Sequence, residues 1–211
     1  MERQTLITLA AIAVSMTACS ESALNEELRV ELLEMGRIDQ DVRFRFMDRL
    51  NESGPTFLRS AEFRVLVDEQ NEIDEANFLR LTQIVDEHGW PSIALVGEDA
   101  NGAAWLILQH ANIERQRRYL PLLREEVSRN GALASNLAML EDEISLADTG
   151  EQIYGTEIKM ENENVFVAPV IDPAGLDARR ASVGLPPMEE YLKEAEAEIG
   201  RPIDRGNLAP D

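Results

Sequence analysis

"AAWLILQHANIERQ", residues 103–116, governs how the rest of the chain has to be arranged. Ala103 to Leu108 are six apolar residues in succession, and they cover every direction of a helical wheel. A helix that is apolar all round has to be surrounded by protein, so the spacing predicts a central helix over about 100–111. Its last turn leaves backbone carbonyls without intrahelical partners. His110, at that end, is expected either to tie the carbonyls down and complement the helix dipole or to act as a general base.

Upstream, Leu24, Leu28, Leu32 and Met35 share one helical stripe, and Gly36 reads as a stop. A second helix is expected from Asp39, with Val42, Phe46 and Leu50 on one side and Asp39 and Arg43 spaced as an i, i+4 ion pair. Residues 53–70 contain Ser-Gly-Pro and read as a loop with a short helix, inserted into the bundle. The following helix takes Asp74 as its cap, repeats Phe78, Leu81, Val85 and His88, and closes at Gly89 and Pro91.

Downstream, Ile113, Gln116, Leu120, Leu123 and Val127 share a stripe that Pro121 breaks or kinks. That spacing buries Gln116 among aliphatic side chains, where its amide requires partners. Leu133, Leu137, Leu140, Ile144 and Ala147 mark a cleaner helix, with Asp142 beside the stripe and Gly150 after it. From Glu151 the period changes to two. "EQIYGTEIKM" (151–160) places Gln152, Tyr154, Thr156 and Ile158 on one strand face, and "VFVAPV" (165–170) reads as its partner in a hairpin over about 151–170. Asp172-Pro173 opens another helix that ends at Gly184, and Pro187 opens a last one with Met188, Tyr191, Ala195 and Ile199 inward. The fold class expected is mainly α with a small β-hairpin (α+β). One compact helical domain spans 24–200, the hairpin packs on it, and 201–211 is a flexible tail.

The first nineteen residues differ from the remainder. Leu6 to Met16 is an uncharged run preceded by Arg3 and followed by Thr17 and Ala18, the layout of a secretory signal and too short for a membrane-spanning anchor. Met16-Thr17-Ala18-Cys19 resembles the lipoprotein signal box of bacteria, with residues 1–18 as the signal peptide and 19–23 as a lipidated terminus and tether. The resemblance implies acylation of Cys19, including palmitate, and attachment to the cell envelope. Ser20 after the cysteine implies the periplasmic face of the outer membrane, with the inner membrane as the other option. Cys19 is the sole cysteine, so an internal disulfide is excluded. Forty acidic against twenty basic residues give a charge of −20, a field that repels phosphate backbones, and no nucleic-acid partner is expected.

Asp39-Gln40-x-x-Arg43, Gly89-Trp90-Pro91, Gln109-His110, Gln116, Gln152-x-Tyr154-Gly155-Thr156 and Arg179-Arg180-x-x-x-Gly184-Leu185 occur in this order. In combination they resemble a bacterial family catalogued only as a domain of unknown function, over roughly residues 28–192. The resemblance implies a shared fold and polar cluster and carries no activity. Two positions depart from the pattern: Glu143 stands where the family often has Arg, and Glu157 where it often has Gln.

His110, Gln116, Asp39, Arg43 and Arg180 are expected to converge on the strand face bearing Gln152, Tyr154 and Thr156. Such a group suits a domain that binds an unknown protein or small molecule without turnover. The alternative is an envelope hydrolase or transferase, with His110 as base, Tyr154 as a hydroxyl donor and Arg180 as an oxyanion or carboxylate clamp. A network that merely locks hairpin to helices uses the same residues. No cofactor and no metal are expected: the two histidines lack metal-motif spacing, and neither a phosphate-binding loop nor a nucleophile elbow is present.

Overall fold

The computed structural model describes residues 24–161 and 164–208. The signal segment, Cys19 and Ser20 lie outside those residues. Among the described residues the elements run α1 (Glu26–Ser53), α2 (Ala61–His88), α3 (Ile93–Val96), α4 (Glu98–Gln109), α5 (Ile113–Ser128), α6 (Ala134–Thr149), β1 (Ile158–Glu161), β2 (Asn164–Val167), α7 (Leu176–Ser182) and α8 (Met188–Ile199). The domain is α+β, as its sequence pattern predicts, with the two strands paired antiparallel and Ile158 opposite Val167.

Two expected helices are one. α1 runs unbroken through Gly36, which is buried rather than terminal. A Cβ at that position would stand 2.9 Å from the Cβ of Ala103, so the glycine lets α1 and α4 approach closely there. The expected insertion at 53–70 is also ordered structure. A 3-10 turn over Gly54–Arg59 leads into Ser60, whose hydroxyl accepts from the Phe63 amide and caps α2. Phe57 meets Phe46 and Phe63 edge to face, Phe46 and Phe63 meet at a tilt, and the three rings, 5.7–5.8 Å apart, hold this corner. Asp74 therefore lies in mid-helix and caps nothing. α5 also continues through Pro121.

The main core gathers Leu28, Leu32 and Met35 of α1, Phe78, Leu81 and Ile84 of α2, Ala104, Ile107 and Leu108 of α4, Leu123 of α5 and Leu140 of α6. α4 is thus central, and its remaining side is partly covered: Ala103, Trp105 and Leu106 are half-buried. The Trp105 indole donates to the Asn136 carbonyl at 2.9 Å, which fixes the ring on that side. A smaller core forms beneath the hairpin from Val165, Val167, Val170, Leu176, Met188, Leu192 and Ile203. Residues 201–208, expected to be part of a flexible tail, close this core. Ile203 is 3 % exposed, Asp204 accepts from the Val167 amide and its own amide donates to the Val165 carbonyl.

Candidate functional site

α1, α2 and the end of α4 bring five side chains together, Asp39, Gln40, Arg43, Asp74 and His110. Asp39 is 1 % exposed, and its carboxylate accepts from His110 Nδ1 at 3.0 Å, from Arg43 Nη1 at 3.0 Å and from Gln40 Nε2 at 2.9 Å. Arg43 Nη2 reaches across to both oxygens of Asp74, at 2.8 and 2.9 Å. The Asp39-Gln40-x-x-Arg43 and Gln109-His110 motifs are therefore one structure, joined through a buried carboxylate.

His110 follows the last helical residue of α4, where free carbonyls accumulate. Its ring does not serve them. Gln116 does: its Nε2 donates to the carbonyls of Gln109 at 2.8 Å and Ala111 at 3.1 Å, and the residue is fully buried. The imidazole is released to face Asp39, with its side chain 22 % exposed. A carboxylate that accepts from Nδ1 fixes the ring and leaves Nε2 as the basic nitrogen. That arrangement abstracts protons or binds cations.

Gln152, Tyr154, Thr156 and Arg180 form a different hydrogen-bonded group, around Asp142 of α6. Residues 151–157 are not a strand; the pairing that predicted one begins only at Ile158. The segment instead wraps the Asp142 carboxylate, which accepts from the amides of Ile153, Tyr154 and Thr156 at 2.6, 2.8 and 2.9 Å and from the Thr156 hydroxyl at 2.8 Å. Apart from a single bridge between Gln152 and Val170, backbone amides converging on a carboxylate take the place of ladder bonds here. Gly155 permits the bend: its φ is +72°, and its Cα faces Met188 and Leu176 where a Cβ would crowd both. The Gln152 side chain donates to Glu157 and Ala168 carbonyls and accepts from the Glu157 amide, so every arm of it is used on backbone.

Arg180 is fully buried and donates to the carbonyls of Pro186 at 2.6 Å and Tyr154 at 2.7 Å, with the Tyr191 ring 4.9 Å from its guanidinium. Burial lowers its pKa. Burial also raises Tyr154, with the Glu141 carboxylate beside its hydroxyl acting in the same direction. The expected single cluster is accordingly two: an Asp39–His110 centre among α1, α2 and α4, and an Asp142-centred clasp holding 151–157 and α7 to α6.

Asp74 and Glu143 complete the picture and were not singled out as site residues by sequence. Asp74 precedes Phe78, Leu81 and Val85 at spacings of 4, 3 and 4, so an acid on an apolar stripe was the available signal. Glu143 sits near both His110 and Glu157. Burial raises its pKa, the Gln116 amide lowers it, and Glu157 raises it again. The two departures from the family pattern, Glu143 and Glu157, therefore influence each other.

A third feature is a groove of about 900 Å³ between α1 and α4. Leu33, Phe44, Trp105, Leu106 and Leu133 line it, with Arg37 and Asp41 among its polar residues. It uses the face of α1 bearing residues 33, 37, 40 and 44, whereas Asp39 meets His110 at the end of α4 and Arg43 meets Asp74 of α2.

The fold and its buried polar centre define a single-domain helical protein with a hairpin. Residues 26–203 match the model of DUF6624, described as a family of unknown function, and the chain belongs to that family. No curated protein and no solved structure matches the chain. Among the described residues no helix is long and apolar enough to cross a membrane.

Proposed function

We propose that the protein is a lipoprotein of the bacterial cell envelope, held through acylated Cys19, whose folded domain binds an apolar, acyl-like ligand in the α1–α4 groove without turnover. The observation that carries the binding role is the half-buried side of α4 that faces the groove. Leu106 and Trp105 form one wall of an open trench in a helix whose composition otherwise demands burial, and Phe44, 64 % exposed, extends it. From Leu33 to Phe44 the α1 wall runs about 16 Å at the helical rise, long enough for a hydrocarbon chain. The acidic surface favours a neutral or cationic headgroup at the rim. The signal-like segment ending in Cys19 supports the envelope location.

One experiment tests both halves. Cys19→Ser should move the protein out of the membrane fraction or leave it unprocessed. On the soluble chain from residue 20, a fluorescent fatty alcohol, neutral at its head, should bind saturably and shift Trp105 emission, and Leu106→Arg should abolish both without lowering the melting temperature. Saturable binding indifferent to Leu106→Arg rejects the groove, and unchanged membrane fractionation of Cys19→Ser rejects the anchor.

The Asp39–His110 bond favours a second reading, an envelope hydrolase or transferase with His110 as general base. Tyr154 and Arg180 are committed to the Asp142 clasp and play no part in it. Turnover of chromogenic ester substrates that disappears in His110→Ala while the fold persists would support this reading, and activity retained in that variant would remove it.

A further inference from the structure

We propose that Asp39, Asp74 and His110 form a site for a first-row divalent transition-metal ion, closed in the present conformation by the guanidinium of Arg43. Each of the three residues offers one ligand atom, and all those atoms lie within 4.8 Å of one another. They come from three segments, α1, α2 and the end of α4, so the packed bundle itself assembles the set. The separation of 3.0 Å between His110 Nδ1 and Asp39 matches the spacing of about 3.0 Å between adjacent donors in an octahedral shell with bonds of about 2.1 Å, the entering ion taking the place of the proton that Nδ1 now gives to the carboxylate. Two carboxylates and an imidazole suit zinc, manganese or iron, whereas calcium and magnesium favour all-oxygen shells.

Charge supplies the second part of the argument. Asp39 and Asp74 carry two negative charges against the single positive charge of Arg43, in a protein of net charge −20. One negative charge is left over at a centre where Asp39 is almost wholly shielded from water. Arg43 bonds to both carboxylates from the position a bridging cation would take. Its side chain is 19 % exposed, which leaves it a path to swing out as the ion enters. A divalent ion neutralises both carboxylates, engages the imidazole and frees Arg43. The site adjoins the α1–α4 groove through Gln40, which lines the groove and donates to Asp39, but none of its three ligands lines the groove and it does not depend on the lipid anchor or on acyl binding.

Cobalt(II) is the probe, because its visible absorption bands report coordination by protein ligands. The full chain, purified in mild detergent, should bind one Co²⁺ per molecule with new bands, and Zn²⁺ should displace it. Asp74→Asn and His110→Ala should each weaken binding at least tenfold and remove the bands, with circular dichroism unchanged. Arg43→Gln should tighten binding at least tenfold, since it removes the competing cation. If Arg43→Gln does not fold, titration of the parent with guanidinium-free buffers of rising Co²⁺, with Asp39→Asn as the comparison, gives the same decision. Absence of stoichiometric Co²⁺, or a Co²⁺ affinity indifferent to all three ligand substitutions, overturns the site. A weaker affinity in Arg43→Gln overturns the competition.

Discussion

At the residue scale, the exchange of roles between Gln116 and His110 shapes the candidate site. An amide has two N–H donors, so one buried glutamine satisfies two helix-end carbonyls that a neutral imidazole, with a single donor, would serve poorly. The histidine is thereby free to pair with Asp39. Glu143 lies close to this pair, and its titration is coupled to the fold. Burial, reinforced by Glu157, raises its carboxyl above the usual 4.5, so the folded state holds a proton more tightly than the unfolded chain does. That contribution to stability is fully present below pH 4.5 and is lost as pH rises through the raised value. Glu143→Gln is accordingly expected to melt higher than the parent at pH 7.5, with the advantage fading toward pH 4. Melting curves at the two pH values check this, and parallel pH profiles for the two proteins would refute it.

At the element scale, the continuity of α1 depends on what Gly36 touches. The sequence presents a glycine after a leucine stripe, which locally reads as a helix end. In the fold the same glycine lets α4 approach, and packing outweighs the cost of about 1 kcal/mol for glycine in a helix. Gly36→Leu should force α1 and α4 apart and destabilise the domain by about 2 kcal/mol, near the middle of the range for overpacking. Urea unfolding measures it, and an unchanged midpoint would show that the contact is not tight. The segment 151–157 illustrates the opposite failure. Its alternation of residue types imitates a strand, yet its amides are claimed by Asp142, a carboxylate on α6 that no local pattern connects to it.

At the scale of the whole molecule, two cores meet through the Asp142 clasp, and the chain's last described residues belong to the second core. Ile203 is buried, its amide donates to Glu196, and Arg205 pairs with Glu196 and Glu189. Burial of one isoleucine contributes about 2 kcal/mol. Ending the chain after Gly200 should therefore lower the melting temperature and increase hydrogen exchange in β2 and α8. A truncated protein as stable as the parent would return residues 201–208 to the status of a tail.

The helical content, the hairpin at 158–167 and the burial of Gln116, Leu108 and Leu123 were readable from period and composition, because each rests on side chains within a few turns of one another. Gly36, Asp74 and residues 151–157 were misread locally, because their partners are Ala103, Arg43 and Asp142, distant in the chain. The grouping of Asp39 with Asp74 and His110, like the groove between α1 and α4, arises only when the helices pack. Local sequence specifies which faces are apolar and where chains turn. Which polar groups lie within bonding distance of one another is decided by the packing of those faces, since hydrogen bonds and ion pairs act over a few ångströms and the chain closes those gaps only by folding.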